Sequence, residues 1–175
     1  FSLDRVQRSG ARFDEQRLIW MNGAHIRALS LDDLYKKVAD FWPAEAANYD
    51  DNYKESVLKL VQERLKFFKE LPKLTSFFFT DLPFNPALIS SNKQLSKFSA
   101  EELKTMLTAA RVELAQSDFS VQDRTDPLNG LLESLQQKPG ILFSLIRIAT
   151  AQAPFSPALA DTLAVLAKDR SLTRL

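Results

Sequence analysis

Two arginines stand where arginine is costly. Arg147 lies within the apolar run "GILFSLIRIATAQAPFSPAL" (140–159), flanked by Ile146 and Ile148 and four residues after Phe143. Arg64 shares a stretch with Val57, Leu58, Leu60, Val61, Leu65 and Phe68. Turned at about 100° per residue, as a helix would turn it, Arg64 projects between Leu60 and Val57, inside the apolar arc. A charge taken out of water needs compensation. Each arginine therefore either closes an internal salt bridge or packs its stem on apolar neighbours while its guanidinium reaches a pocket mouth. In the second case a planar fork of five donors suits a splayed nucleotide base or a phosphate.

The other candidate groups point away from catalysis. Four glycines supply no phosphate-cradling loop, and a single histidine, His25, allows neither a two-histidine metal motif nor a histidine relay. Behind Asn22-Gly23, His25 reads as a structural or surface residue. The Asp32/Asp33 pair reads as charge in the first turn of a helix. The "SFFFTDLPF" stretch reads as core in preference to a base-stacking platform. With no cysteine, disulfides and thiolate metal sites are excluded, which suits a reducing compartment, the cytoplasm.

The 175 residues are 45% hydrophobic and 26% charged, the balance of an ordinary globular chain, with no apolar run that approaches a membrane span. The opening "FSLDRVQRSG" reads as the continuation of a longer chain. Net charge is only +1, but it is segregated. Residues 1–27 and 51–75 each carry +2 and residues 135–175 carry +3, whereas 28–50 and 76–134 carry −3 each. A basic face is compatible with a neutral total.

Helical periodicity runs almost throughout, without persistent strand alternation, so the expected fold is all-α. A short helix covers 14–23, with Gly23 as its terminator. Ser30 caps a helix with Leu34, Val38 and Phe41 on one face. Residues 50–71 form the longest candidate, ended by Pro72. Residues 81–98, with prolines and a Ser/Asn cluster, form the expected linker between two helical subdomains, 1–80 and 99–175. Ser99 and Glu102 make a capping box. Helices follow around 127–137 and 141–151, and a last one opens with Ser156 as N-cap and Pro157 at the first helical position.

Three stretches in this order resemble one family. "FSLDRVQRSGARFDEQRLIWMNGAHIR" carries F-x-L-x-R-V, a Phe-Asp and W-[ML]-N-G-x-x-I-R. "LVQERLKFFKELPKLTSFFF" carries a basic helix with an aromatic-rich end. "PFSPALADTLAVLAKDRSLTRL" closes on L-x-K-[DE]-R-x-L-x-R-L. Together they are similar to the carboxy-terminal anticodon-binding region of bacterial-type glutamyl-tRNA synthetase, over the whole chain.

The resemblance implies a two-part α-helical cage. Residues 1–80 would contact the tRNA stem and residues 99–175 would hold the unstacked anticodon. It implies that Arg64 reads the third anticodon base, a cytosine, and that Arg147 meets the first, whose pocket Ser156, Pro157 and Leu159 line. Lys54, Lys66, Lys69, Lys73, Lys168, Arg170 and Arg174 are the candidates for tRNA backbone contact. The partners implied are glutamate tRNA and a catalytic domain of the same polypeptide, in a monomer with no membrane contact. ATP and magnesium belong to that catalytic domain, and these residues need no cofactor. Two departures stand out: His25 replaces the family's usual tyrosine, and "TAQAP" (150–154) lacks the glycine often found before the last helix. The competing expectation is a helical protein-interaction module with both arginines internally paired.

Overall fold

The structure, a computed structural model, describes residues 13–117, 121–153 and 156–175, with backbone alone over 121–127. The F-x-L-x-R-V motif, Arg5, Arg8 and Arg12, and Phe155 of the "PFSP" turn lie outside the described residues. Among the described residues there are ten α-helices and no strand.

The amino-terminal half packs α1 (Glu15–Arg27), α2 (Leu31–Lys37), α3 (Asp51–Val61) and α4 (Leu71–Phe79). Asp14 caps α1 by accepting from the Arg17 N–H at 3.0 Å. Ser30 caps α2 as expected, accepting from the Asp33 N–H at 3.1 Å. Gly23 does not end α1, which continues four residues further. Its lack of a side chain serves approach instead: a Cβ there would stand 3.1 Å from an Arg27 Nη and 3.5 Å from the Leu65 carbonyl oxygen.

The long helix expected over 50–71 is two helices with a break. After α3 come a tight turn at Gln62–Arg64 and an extended link at 65–67, and Pro72 lies in the first turn of α4. Proline suits that position because the first helical N–H groups have no intrahelical partner.

The carboxy-terminal half holds α5 (Ala87–Ser90), α6 (Ala100–Gln116), α7 (Val121–Ser134), α8 (Pro139–Ala151), α9 (Leu159–Leu166) and α10 (Lys168–Arg174). The capping box of α6 is present: Glu102 accepts from the Ser99 N–H at 2.8 Å, and Ser99 Oγ accepts from the Glu102 N–H at 3.3 Å. Helix α7 starts six residues before its expected position at 127. The last helix opens at Leu159 with Ala158 at its cap, so Ser156 and Pro157 precede it and take neither expected capping role. It is also interrupted at Ala167, whose φ of 64° and ψ of 167° fall where residues with a side chain are strained.

Three apolar clusters organise the molecule. One gathers Leu34, Leu58, Val61, Leu65 and Leu71 in the first half. Another gathers Leu103, Met106, Leu114, Leu142, Ile146 and Leu163 in the second, and takes in Leu95, fully buried, from the 81–98 segment. The third lies at the junction: Ala46, Val57 and Phe77–Phe79 meet Ala151 and Leu166. The three phenylalanines of "SFFFT" are core, each at most 4% exposed. No helix among the described residues is long and apolar enough to cross a membrane.

Candidate nucleic-acid interface

Arg64 does not sit in the apolar arc of a helix. The α-helix ends at Val61, and the turn that follows swings Arg64 out to an exposed position. Side chains hold this departure by substituting for helical hydrogen bonds. Gln62 Nε2 donates to the Leu29 carbonyl at 2.9 Å. Asn22 Nδ2 donates to the Lys66 carbonyl. Glu70 Oε2 accepts from the backbone N–H groups of Lys66 at 2.9 Å and Phe67 at 3.1 Å. The Asn22-Gly23 pair of α1 thus braces the link that presents Arg64.

Three concavities meet at this arginine. A cavity of about 200 Å³ runs between Val61, Leu74 and Phe77 on one side and Gln152, Ser156 and Pro157 on the other, with Arg64 and Lys73 at its edge. A wider one of about 590 Å³ lies between α3 and α9, bordered by Lys59, Arg64, Pro157 and Asp161. A third of about 280 Å³ is lined by Arg64, Lys66, Glu70, Lys73 and Leu74. Apolar walls with cationic donors at the rim match a nucleotide, whose base stacks and whose edges and phosphates accept hydrogen bonds.

Arg147 is half-buried on α8, and its Nε donates to Ser156 Oγ at 3.2 Å. Ser156, 4% exposed, in turn donates to the Pro157 carbonyl at 3.1 Å. Burial, and then the nearby positive charge of Arg64, hold the Arg147 pKa below the ordinary arginine value. Neither arginine has a carboxylate within ion-pair distance among the described residues. Two like charges approaching without an acid between them are unfavourable in the free protein, and an anionic ligand offsets that cost.

Gln152 ends α8 in the left-handed region, φ 49° and ψ 37°, where glycine is at ease. This is the "TAQAP" segment without its glycine. Its Oε1 accepts from the Asn85 N–H at 3.0 Å, and the residue forms part of the wall of the smallest of the three cavities. Leu159 lies elsewhere, 6% exposed in the core of the second half.

The backbone-contact candidates divide. Lys66, Lys69 and Lys73 are exposed. Lys54 pairs with Asp51 at 2.8 Å, and Lys168 Nζ donates to the Ser117 carbonyl at 2.9 Å. Arg170 donates to the Phe78 carbonyl and the Tyr49 hydroxyl. Arg174 uses all five donors internally: Nε and Nη2 bond Asp81 Oδ1 at 2.9 and 2.6 Å, Nη1 bonds the Phe77 and Thr150 carbonyls at 2.8 and 2.7 Å, and Nη2 also bonds the Thr80 carbonyl at 3.1 Å. No donor of Arg174 is left for a phosphate in this conformation. Lys59 and Gln152 are wall residues that no sequence motif marks. For Gln152 the missing glycine of "TAQAP" is the one available signal.

Comparison with known proteins places these features in context. A family model described as an anticodon binding domain matches residues 33–175. A glutamate–tRNA ligase of Chloroflexus aurantiacus is 35% identical over 186 residues, covering all of this chain and 36% of that protein. One of Roseiflexus castenholzii is 38% identical over 189 residues, covering all of this chain and 35% of the relative. The chain thus spans about a third of the length of the curated relatives it matches. A crystal structure of a glutamate tRNA ligase from Elizabethkingia meningosepticum superposes with a TM-score of 0.75 over 99% of this chain and 34% of the other, at 19% identity. That likeness is one of fold.

Proposed function

The chain belongs to the anticodon binding domain family, and we propose that it selects tRNA for glutamate–tRNA ligation. In this reading residues 1–80 dock the stem of glutamate tRNA, and residues 99–175 hold the unstacked anticodon across the 81–98 connection. Arg64 reads the third anticodon base and Arg147, steadied by Ser156, meets the first beside Pro157. Lys66, Lys69 and Lys73 follow the phosphate backbone. The ATP-dependent chemistry and its magnesium belong to a catalytic domain of the same polypeptide, working as a monomer in the cytoplasm.

The observation that carries the reading is a concavity walled by both halves that Arg64 lines and that Arg147 backs through its bond to the lining Ser156, neither arginine having a carboxylate partner among the described residues. The competing module with internally paired arginines lacks its acids among those residues. Cytosine presents O2 and N3 acceptors to an arginine donor, whereas guanine presents a donor on the same edge. Such a contact discriminates by on the order of 1–3 kcal/mol.

Fluorescence anisotropy of the chain with glutamate tRNA, beside a transcript carrying G for the third anticodon C, tests it. Wild type should prefer C by about 10-fold or more, and Arg64→Gln should lose most of that preference. Affinity should also fall steeply as salt rises, through release of counterions from the RNA. Equal affinity for both transcripts would remove base reading from Arg64. Binding indifferent to salt would remove RNA altogether.

A further inference from the structure

The carboxy-terminal turn of α4 poses a problem that α10, α3 and the residue Tyr49 ahead of α3 solve together. A helix end leaves carbonyls without intrahelical partners. Here the Phe77 carbonyl accepts from Arg174, the Phe78 carbonyl from Tyr53 Oη at 3.0 Å and from Arg170, the Phe79 carbonyl from Tyr49 Oη at 3.0 Å, and the Thr80 carbonyl from Arg174. Two cations and two hydroxyls close one helix end, and cations there also meet the negative pole of the helix.

Arg174 does more than cap. The same Nη1 that holds the Phe77 carbonyl holds the Thr150 carbonyl at the end of α8. Phe77 is one wall of the smallest cavity, and the opposite wall, Ala151 to Ala153, begins at the residue after Thr150. The Asp81 carboxylate, one residue before the cavity-lining Leu82, takes two further donors from Arg174. A single guanidinium, its side chain only 10% exposed, therefore ties together three segments that shape the cavity.

We infer that Arg174 is a positioning residue for base discrimination: its fork sets the separation of the α4 and α8 ends, and hence the width of the cavity that Arg64 borders. The inference rests on the anticodon reading above. Lysine at 174 would keep the charge but has no planar fork to span these acceptors, so it should not substitute. Asp81→Asn removes the anchoring charge and leaves the arginine in place.

Two measurements test it, both on variants whose circular dichroism shows the native helix content. The first is the C-over-G preference in the anisotropy assay, which should fall from about 10-fold toward parity in Arg174→Lys and fall partially in Asp81→Asn. Met106→Ala, a core truncation that removes none of the Arg174 or Asp81 hydrogen bonds, should lower thermal stability and leave the preference unchanged. The second uses nitroxides on cysteines introduced at exposed Lys59 and Glu101 of a chain without native cysteine. The distance distribution should be narrow in wild type and broader in Arg174→Lys. Retained preference, or an unchanged distribution in Arg174→Lys, overturns the inference alone. If wild type itself binds both RNAs equally, the anticodon reading fails and this inference falls with it.

Discussion

Arg147 sits where both burial and a neighbouring cation oppose its charge, and its one described side-chain bond goes to a neutral hydroxyl. A residue selected for stability would have a carboxylate opposite or would be apolar. Arg147→Met should therefore unfold at the same or slightly higher urea concentration than wild type, within about 1 kcal/mol. The same variant should bind glutamate tRNA more weakly by about 10-fold or more, the exchange of stability for function common at binding sites. Chemical denaturation and anisotropy on one preparation check both. A loss near about 3 kcal/mol would instead reveal an internal partner. Arg147 was legible in the sequence because nothing local explains a charge between two isoleucines. Arg64 was legible for a partly different reason, its apparent place in an apolar arc. The arc ends at Val61, and the exposure of Arg64 comes from a turn that Asn22, Gln62 and Glu70 hold.

Where the signals that define a helix are local, they could be read directly. Ser30 and Ser99 cap as their spacing to Asp33 and Glu102 indicates, because donor and acceptor are three residues apart. The break at 62–67 could not be read, since the groups that substitute for its helical bonds include Asn22, from another element. The split at Ala167 had no sequence mark either, alanine being the best helix former. Ala167→Gly should raise the melting temperature, contrary to the usual glycine penalty, because φ 64° and ψ 167° are open to glycine. The α6 cap carries a pH signature. Hydrogen bonds from the Ser99 backbone and then its hydroxyl hold the Glu102 pKa below its ordinary value of 4.5. A depressed folded-state value means that the contribution is complete above pH 4.5 and is lost as pH falls through the folded-state value. Glu102→Gln should lower the melting temperature near neutral pH, leave it almost unchanged at the acid end of that window, and so flatten the profile between them.

The junction cluster brings Ala46, Val57 and Phe77–Phe79 of the first half against Ala151 and Leu166 of the second, a shared core that should make the two halves unfold together. Phe79 anchors this cluster from the first-half side, touching Trp42, Tyr49 and Tyr53 with ring centroids 5.7, 5.2 and 5.9 Å away. Urea unfolding followed by tryptophan fluorescence, which reports only Trp20 and Trp42, should coincide with far-ultraviolet dichroism, which reports every helix. Phe79→Ala should cost about 3–5 kcal/mol and separate the two curves, as each half begins to melt on its own core. Coincident curves in the variant would show that the remaining junction residues, Val57, Phe77 and Phe78 with Ala151 and Leu166, carry the coupling without Phe79. The all-helical plan was legible from periodicity, and so was "SFFFT" as core. That Arg170 and Arg174 serve the end of that helix was not, because their acceptors are largely backbone carbonyls, which every residue type presents alike.

The distance along the chain between those partners has a consequence for biosynthesis. Phe77 and Arg174 are 97 residues apart. At translation rates of roughly 5–20 residues per second, the aromatic helix leaves the ribosome roughly 5–20 s before the arginines that close its end. During that interval its phenyl rings lack Ala151 and Leu166, and of its last carbonyls those of Phe78 and Phe79 have the tyrosines of the same half while those of Phe77 and Thr80 await Arg174. The first half therefore emerges as an unfinished surface that invites chaperone capture or pairing with a neighbouring nascent chain, and the final turns of α10 end that exposure.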